Sequence, residues 1–119
     1  MTTTTTSTCS NSDIKAIQDA LEVLSGGWKL PILASLSGGA KRFKEIAKDV
    51  HGISDKMLSK ELRHLEINQL IERTVHNTFP PTVVYSVTEH SKTLREVLDA
   101  LVNWGSTHRK KIVGKVYAQ

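Results

Sequence analysis

Between Phe43 and Val87 the spacing of apolar residues changes from helical to alternating, and the change separates two kinds of element. Phe43, Ile46, Ala47 and Val50 recur at helical spacing among Lys41, Arg42, Lys44, Glu45, Lys48 and Asp49, which predicts an amphipathic helix. His51 and Gly52 end it, glycine tolerating the left-handed conformation of a helix C-terminus. A second helix follows after a few residues. Ser54 is its N-cap, Ile53 and Leu58 hold the N′ and N4 positions of a hydrophobic staple, and Asp55 sits at the positive end of its dipole. Leu58, Leu62 and Leu65 form its buried stripe, which leaves Lys56, Ser59, Lys60 and Arg63 on other faces. Two helices joined this tightly meet at a steep angle, as in a helix-turn-helix, with the second as recognition helix.

Leu70 to Val75 and Thr82 to Val87 are rich in β-branched residues and predict two strands, with the turn formers Asn77 to Pro81 between them. Pro80 and Pro81 lack backbone donors and suit a loop or an edge, so this hairpin is a wing with His76 and Asn77 near its tip. Upstream, Asp13 opens a helix with the apolar stripe Ile14, Ile17, Leu21 and Leu24, ended by Ser25, Gly26 and Gly27. Trp28 to Leu36 predicts a short helix, with Pro31 tolerated in its first turn. A last helix runs from Glu89 or Ser91 to about Val113, and its Leu94, Val97, Leu98, Leu101 and Trp104 offer more apolar surface than a small winged core needs. The expected fold is mainly α with a small β-hairpin wing, a winged helix-turn-helix. Its domain spans residues 13–113, between a disordered Thr/Ser-rich tail at 1–12 and a C-terminal tail at 114–119.

Composition narrows the function more than the fold. The chain has 119 residues, 39% of them hydrophobic, enough for one core but small enough that a partner subunit could matter to stability. A net charge of +4 favours a polyanion as partner without requiring one. No apolar run approaches the roughly 20 residues of a membrane span, and the Thr-rich start lacks the apolar segment of a signal peptide, so the expected location is cytoplasmic with no membrane contact. Cys9 is the single cysteine, so no intramolecular disulfide forms. The five histidines show no i, i+4 pair and there is no second cysteine, hence no metal site is expected. With no phosphate loop, nucleophile elbow or paired catalytic carboxylates, neither enzymatic activity nor a cofactor is expected.

Lys56, Ser59, Lys60 and Arg63, on the helix capped by Ser54, suit a major groove, where Arg and Lys bond guanine and Ser serves a base or a phosphate. Lys41 and Arg42 suit phosphate clamps, with a structural salt bridge as the equal alternative for Arg42. His76 and Asn77 reach the minor groove or backbone from the wing, or are simply solvated. Trp28 and Trp104 belong to an effector pocket or to core and interface, and the interface is favoured for Trp104.

Gly26-Gly27-Trp28, Ile32-Leu33, Leu36, Arg42-Phe43, the run Ile53 to Leu58, Leu62 to Glu66, and Pro80 through Tyr85 to Thr88 together resemble the HxlR family of bacterial winged helix-turn-helix transcriptional regulators. The similarity extends from about residue 14 to Gly105. It implies a homodimer held by the first and last helices, with Ile14, Ile17, Leu21, Leu94, Leu98, Leu101 and Trp104 at the interface and two recognition helices reading a palindromic operator in double-stranded DNA. Redox-sensing members carry a cysteine near the start of the first helix, about where Ile14 or Lys15 stands, whereas Cys9 lies earlier and has no helix start or base beside it. Ser91 replaces the glycine usual after the Thr-Glu of the last strand. The expected function is a dimeric, sequence-specific DNA-binding regulator, with its recognition helix at 54–67, its wing at 70–88 and a small-molecule effector of unidentified chemistry. The alternatives are a winged-helix module that binds protein instead of DNA, and a thiol- or electrophile-responsive repressor acting through Cys9.

Overall fold

A computed structural model describes residues 8–117, with side chains as far as 114. The element order is α1 (Asn11–Leu24), α2 (Lys29–Leu36), α3 (Phe43–Asp49), α4 (Asp55–Ile67), β1 (Ile71–His76), β2 (Thr82–Val87), a 3-10 turn (His90–Leu94) and α5 (Arg95–Tyr117). This is the winged helix-turn-helix, mainly helical with one two-stranded antiparallel sheet.

The last helix, expected from Glu89 or Ser91, starts only at Arg95, because residues His90–Leu94 form a 3-10 turn. Apart from this and from shifts of one residue, three features differ from the sequence expectation, each for a local reason. The first helix starts at Asn11, because Ser10 and Asp13 form a capping box: the Ser10 hydroxyl accepts from the Asp13 N–H at 3.1 Å and the Asp13 carboxylate accepts from the Ser10 N–H at 2.9 Å. Asp13 is therefore the third residue of α1 and not its opening one. Residues 10–12 thus belong to helix and cap, while the tail expected over residues 1–7 lies outside the described residues. At the other end α5 continues to Tyr117, past the expected end at Val113, and residues 118–119 are outside the described range. The third difference is at Lys41, which stands before α3 and pairs backbone to backbone with Tyr85, giving at 2.9 Å and accepting at 2.8 Å, as a one-residue edge of the wing sheet.

The core lies between α2, α3, α4 and the base of the wing. Ile32, Leu33 and Leu36 meet Ile46, Val50, Leu58, Leu62, Leu65 and Ile71, all buried. Pro31 is the third residue of α2, where its missing N–H breaks no helical bond. The strands pair from Ile71 opposite Val87 to His76 opposite Thr82. Thr88 ties the base of this hairpin to the end of α4, its hydroxyl donating to the Gln69 carbonyl at 2.8 Å and accepting from the Ser91 N–H at 3.1 Å. Ser91 is itself buried in the 3-10 turn that leads into α5.

One polar contact crosses this core. The Lys29 ammonium donates to the Glu61 carboxylate at 2.6 Å, with both side chains about nine-tenths buried, and so joins α2 to α4. Removing one member of such a pair strands a charge away from water, whereas replacing both by apolar groups costs little. Glu61→Gln is expected to cost about 3 kcal/mol in urea unfolding, and Lys29→Met with Glu61→Leu to recover most of that loss.

Candidate nucleic-acid interface

The geometry of α4 follows from its leucines. Leu58, Leu62 and Leu65 are buried to within 2% exposure and fix how the helix is rotated against the core. Lys56, Ser59, Lys60 and Arg63 stand at i, i+3, i+4 and i+7 and share an arc of roughly 100° at 3.6 residues per turn, directly opposite the leucines; all four are exposed. The Ser54 hydroxyl accepts from the Met57 N–H at 3.1 Å, which is the expected N-cap, and Ile53 packs against the core on the incoming chain. Ser54 is therefore occupied as a cap, with its residue exposed at the helix mouth.

Among the described residues, Lys56, Lys60 and Arg63 enter no ion pair. The 13 residues of α4 span roughly 20 Å, so the helix offers several successive positions to a groove about 12 Å wide. A shallow depression lined by Ser59, Lys60, Arg63 and His64 runs along the exposed face.

The two residues before α3 exchange the roles expected of them. Lys41 is half-buried and its ammonium is bound by the Asp49 carboxylate, with the Ser35 hydroxyl beside both. As a clamp for an external phosphate it would first have to leave Asp49. Arg42 is exposed at the N-cap of α3, its backbone N–H donating to Glu45 at 2.8 Å and its guanidinium in no ion pair among the described residues. The salt bridge open to Arg42 from the sequence is instead made by Lys41, which reaches Asp49 at the far end of α3.

His76 ends β1 and Asn77 follows it, both exposed near the wing tip as expected. Arg73 on β1 was not singled out from the sequence; it is exposed, in no ion pair among the described residues, and on the same side of the pleat as Ile71 and Val75. An arginine two places beyond the buried Ile71 was the available signal.

Ile14, Ile17 and Leu21 on α1 and Leu101 on α5 are about half exposed and Trp104 more so, whereas Leu94 packs against the core and Leu98 is partly buried. Trp104 stacks on His108 with ring centroids 4.7 Å apart. Trp28 packs against the core. Neither tryptophan lines the cavity of about 390 Å³ that opens between α2, β2 and α5, floored by Leu33, Val87 and Leu98 with Lys92 and Arg95 at its rim. Cys9 is exposed and immediately precedes the α1 cap, so a helix start does adjoin it, contrary to the sequence expectation. Two amides of that helix end, those of Ser10 and Asp13, are already engaged by the capping box.

A capped helix that presents a cationic arc, beside a hairpin wing, defines the winged helix-turn-helix transcriptional regulators. Residues 23–113 match the family described as HxlR-like helix-turn-helix, and the chain belongs to that family. It is 37% identical over 103 residues to the HTH-type transcriptional regulator YtcD of Bacillus subtilis, covering 87% of this chain and 82% of that one. The HTH-type transcriptional regulator YodB of the same organism is 35% identical over 94 residues, covering 79% of this chain and 84% of YodB. Among solved structures, the redox regulator HypR in its reduced form superposes with a TM-score of 0.76 at 32% identity, covering 82% of this chain and 96% of HypR. The relatives are transcriptional regulators and not enzymes, and no helix among the described residues is long and apolar enough to cross a membrane.

Hydrogen bonds from the Lys41 ammonium first, and from the Ser35 hydroxyl second, hold the Asp49 carboxyl below the ordinary carboxylate range. A depressed carboxylate pKa adds stability that is present above the unfolded value, near ~4, and is lost as pH falls through the folded one. The stability gap between wild type and Asp49→Asn is therefore expected to narrow in urea unfolding as pH drops from about 6 to about 3; a constant gap would refute the pairing.

Proposed function

We propose that the protein is a homodimeric, sequence-specific DNA-binding transcriptional regulator that reads a palindromic operator with α4. The observation that carries this reading is the arc of Lys56, Ser59, Lys60 and Arg63, exposed, outside any described ion pair and opposite the buried leucines. Cations held this way have two uses on DNA. Against phosphates they displace counterions, which makes affinity fall with salt; against guanine edges they form bonds that carry sequence. Arg42 at the mouth of α3 and Arg73 on the wing suit the phosphates on either side of α4, with Ser54 at the helix start and His76 and Asn77 beyond them.

Dimerisation is supported by what one copy leaves uncovered. The radius of gyration is 17.6 Å, against about 13–14 Å for a compact chain of this length, because α1 and α5 reach out from the core. Both carry apolar stripes: Ile14, Ile17 and Leu21 on one, Val97, Leu101 and Trp104 on the other. Solvent-facing stripes of this kind mark contact surfaces, and a second copy would cover them by two-fold symmetry. Two recognition helices related in this way require half-sites about one helical turn, 34–36 Å, or a multiple apart. An effector seated in the cavity between α2, β2 and α5 would touch both the core that carries α4 and the helix that carries the interface, so it could favour one spacing of the reading helices over another.

Lys56→Ala with Arg63→Ala is expected to weaken binding to the operator at least about tenfold and to lower the slope of log affinity on log salt by about one to two, measured by titration across a potassium chloride series. Weak binding that is indifferent to both DNA sequence and these substitutions would instead favour a winged helix that binds protein. Leu101→Glu is expected to turn a dimer into a monomer in light scattering while the melting of the core, to which Leu101 does not belong, changes little.

A further inference from the structure

Phe79 is fully exposed, at 103% of the reference area for its type. A phenylalanine that touches nothing in its own chain contributes nothing to the core, and the wing tip is where this one stands. Its loop is nonetheless held in shape. The Thr78 N–H donates to the His76 carbonyl at 2.8 Å, and the Thr78 hydroxyl donates to the Pro80 carbonyl at 2.7 Å, with the Thr82 hydroxyl 2.9 Å away. Pro80 and Pro81 then fix φ on the following side. The aromatic ring is thus presented on a framed turn, so little freedom is lost when it is buried by a partner.

Its neighbours indicate which partner. Val75, one residue before the end of β1, is half exposed and offers a second apolar surface, while the exposed His76 and Asn77 supply polar groups on the same loop. The tip itself carries no lysine or arginine; the wing's cation, Arg73, lies three residues before the end of β1. Six-residue strands put the tip roughly 17 Å beyond Ile71, far enough for a wing rooted at the end of α4 to pass from a major groove to the minor groove beside it. That groove has apolar sugar walls and a floor of acceptors, and apolar side chains can wedge between its base steps.

We propose that Phe79 is an apolar wedge, seated by the wing in the minor groove flanking each half-site. This rests on the DNA-binding reading of α4 and adds to it a second source of specificity. Partial unstacking is least costly at pyrimidine–purine steps, so the wing selects sequence by deformability without hydrogen-bond readout. Because the contact is apolar, it contributes affinity without releasing counterions. Phe79 therefore acts differently from Lys56 and Arg63, and salt separates the two.

The test uses the full chain and the duplex that it selects from a random library, titrated across a potassium chloride series. Phe79→Ala is expected to weaken binding about tenfold at every salt concentration with an unchanged salt slope, and Phe79→Leu to keep affinity within about threefold, since leucine also serves as a wedge. 2-Aminopurine placed at the flanking step should brighten on binding of wild type and Phe79→Leu but not of Phe79→Ala. Melting temperature should be unaffected, as the ring packs on nothing. Phe79→Ala binding as tightly as wild type, or losing affinity together with salt slope, would overturn the wedge while leaving the reading of α4 intact. If wild type selects no duplex at all, the DNA-binding reading fails and the wedge fails with it.

Discussion

The rotation of α4 about its own axis is the constraint on which the rest depends. Leu58, Leu62 and Leu65 accept only one facing toward Ile32, Leu36 and Ile46, and a turn of one residue, about 100°, would bring a leucine into water and a charge into the core. With the apolar face fixed, the position of Lys56, Lys60 and Arg63 is decided. The Lys29–Glu61 pair reinforces this from the edge of the same face, since a buried ion pair tolerates little displacement before its charges lose each other. Core packing and the outward cationic arc are two sides of one arrangement.

A second constraint acts on the ends of the chain. The core between α2 and the wing is complete in one copy, but α1 and the outer part of α5 are not, and they carry half-exposed isoleucine, leucine, valine and tryptophan. The same α5 borders the cavity floored by Leu33 and Val87, so the uncovered face, the cavity and the core meet along one helix. Whatever shifts α5 against α2 therefore acts on both the uncovered apolar face and the body that carries α4.

Local signals made most of the fold legible in the sequence. The Ser54 cap, the Ile53 and Leu58 staple, the leucine stripe and the two strands each depend on residues within a turn or a hairpin, and all appear in the structure within about a residue of expectation. The start of α1 is equally local yet falls two residues before the expected Asp13, which is the third residue of the helix and closes the Ser-x-x-Asp box. What the sequence could not display are contacts across distance. Lys29 and Glu61 are 32 residues apart, and Lys41 reaches β2 only once the hairpin has folded back against the turn before α3. Exposure is non-local in the same way: nothing in the sequence around Phe79 marks it, and only the folded hairpin shows that nothing covers it.

Hydroxyl-radical and methylation footprinting of the selected operator tests the account most directly, because it reports how many recognition helices engage and in which groove. The account predicts two symmetric blocks of protected guanine N7 positions on one face of the duplex, centred about 10 bp or a multiple of that apart, both lost in the Lys56→Ala, Arg63→Ala variant. A single block, or protection that persists in that variant, would contradict it.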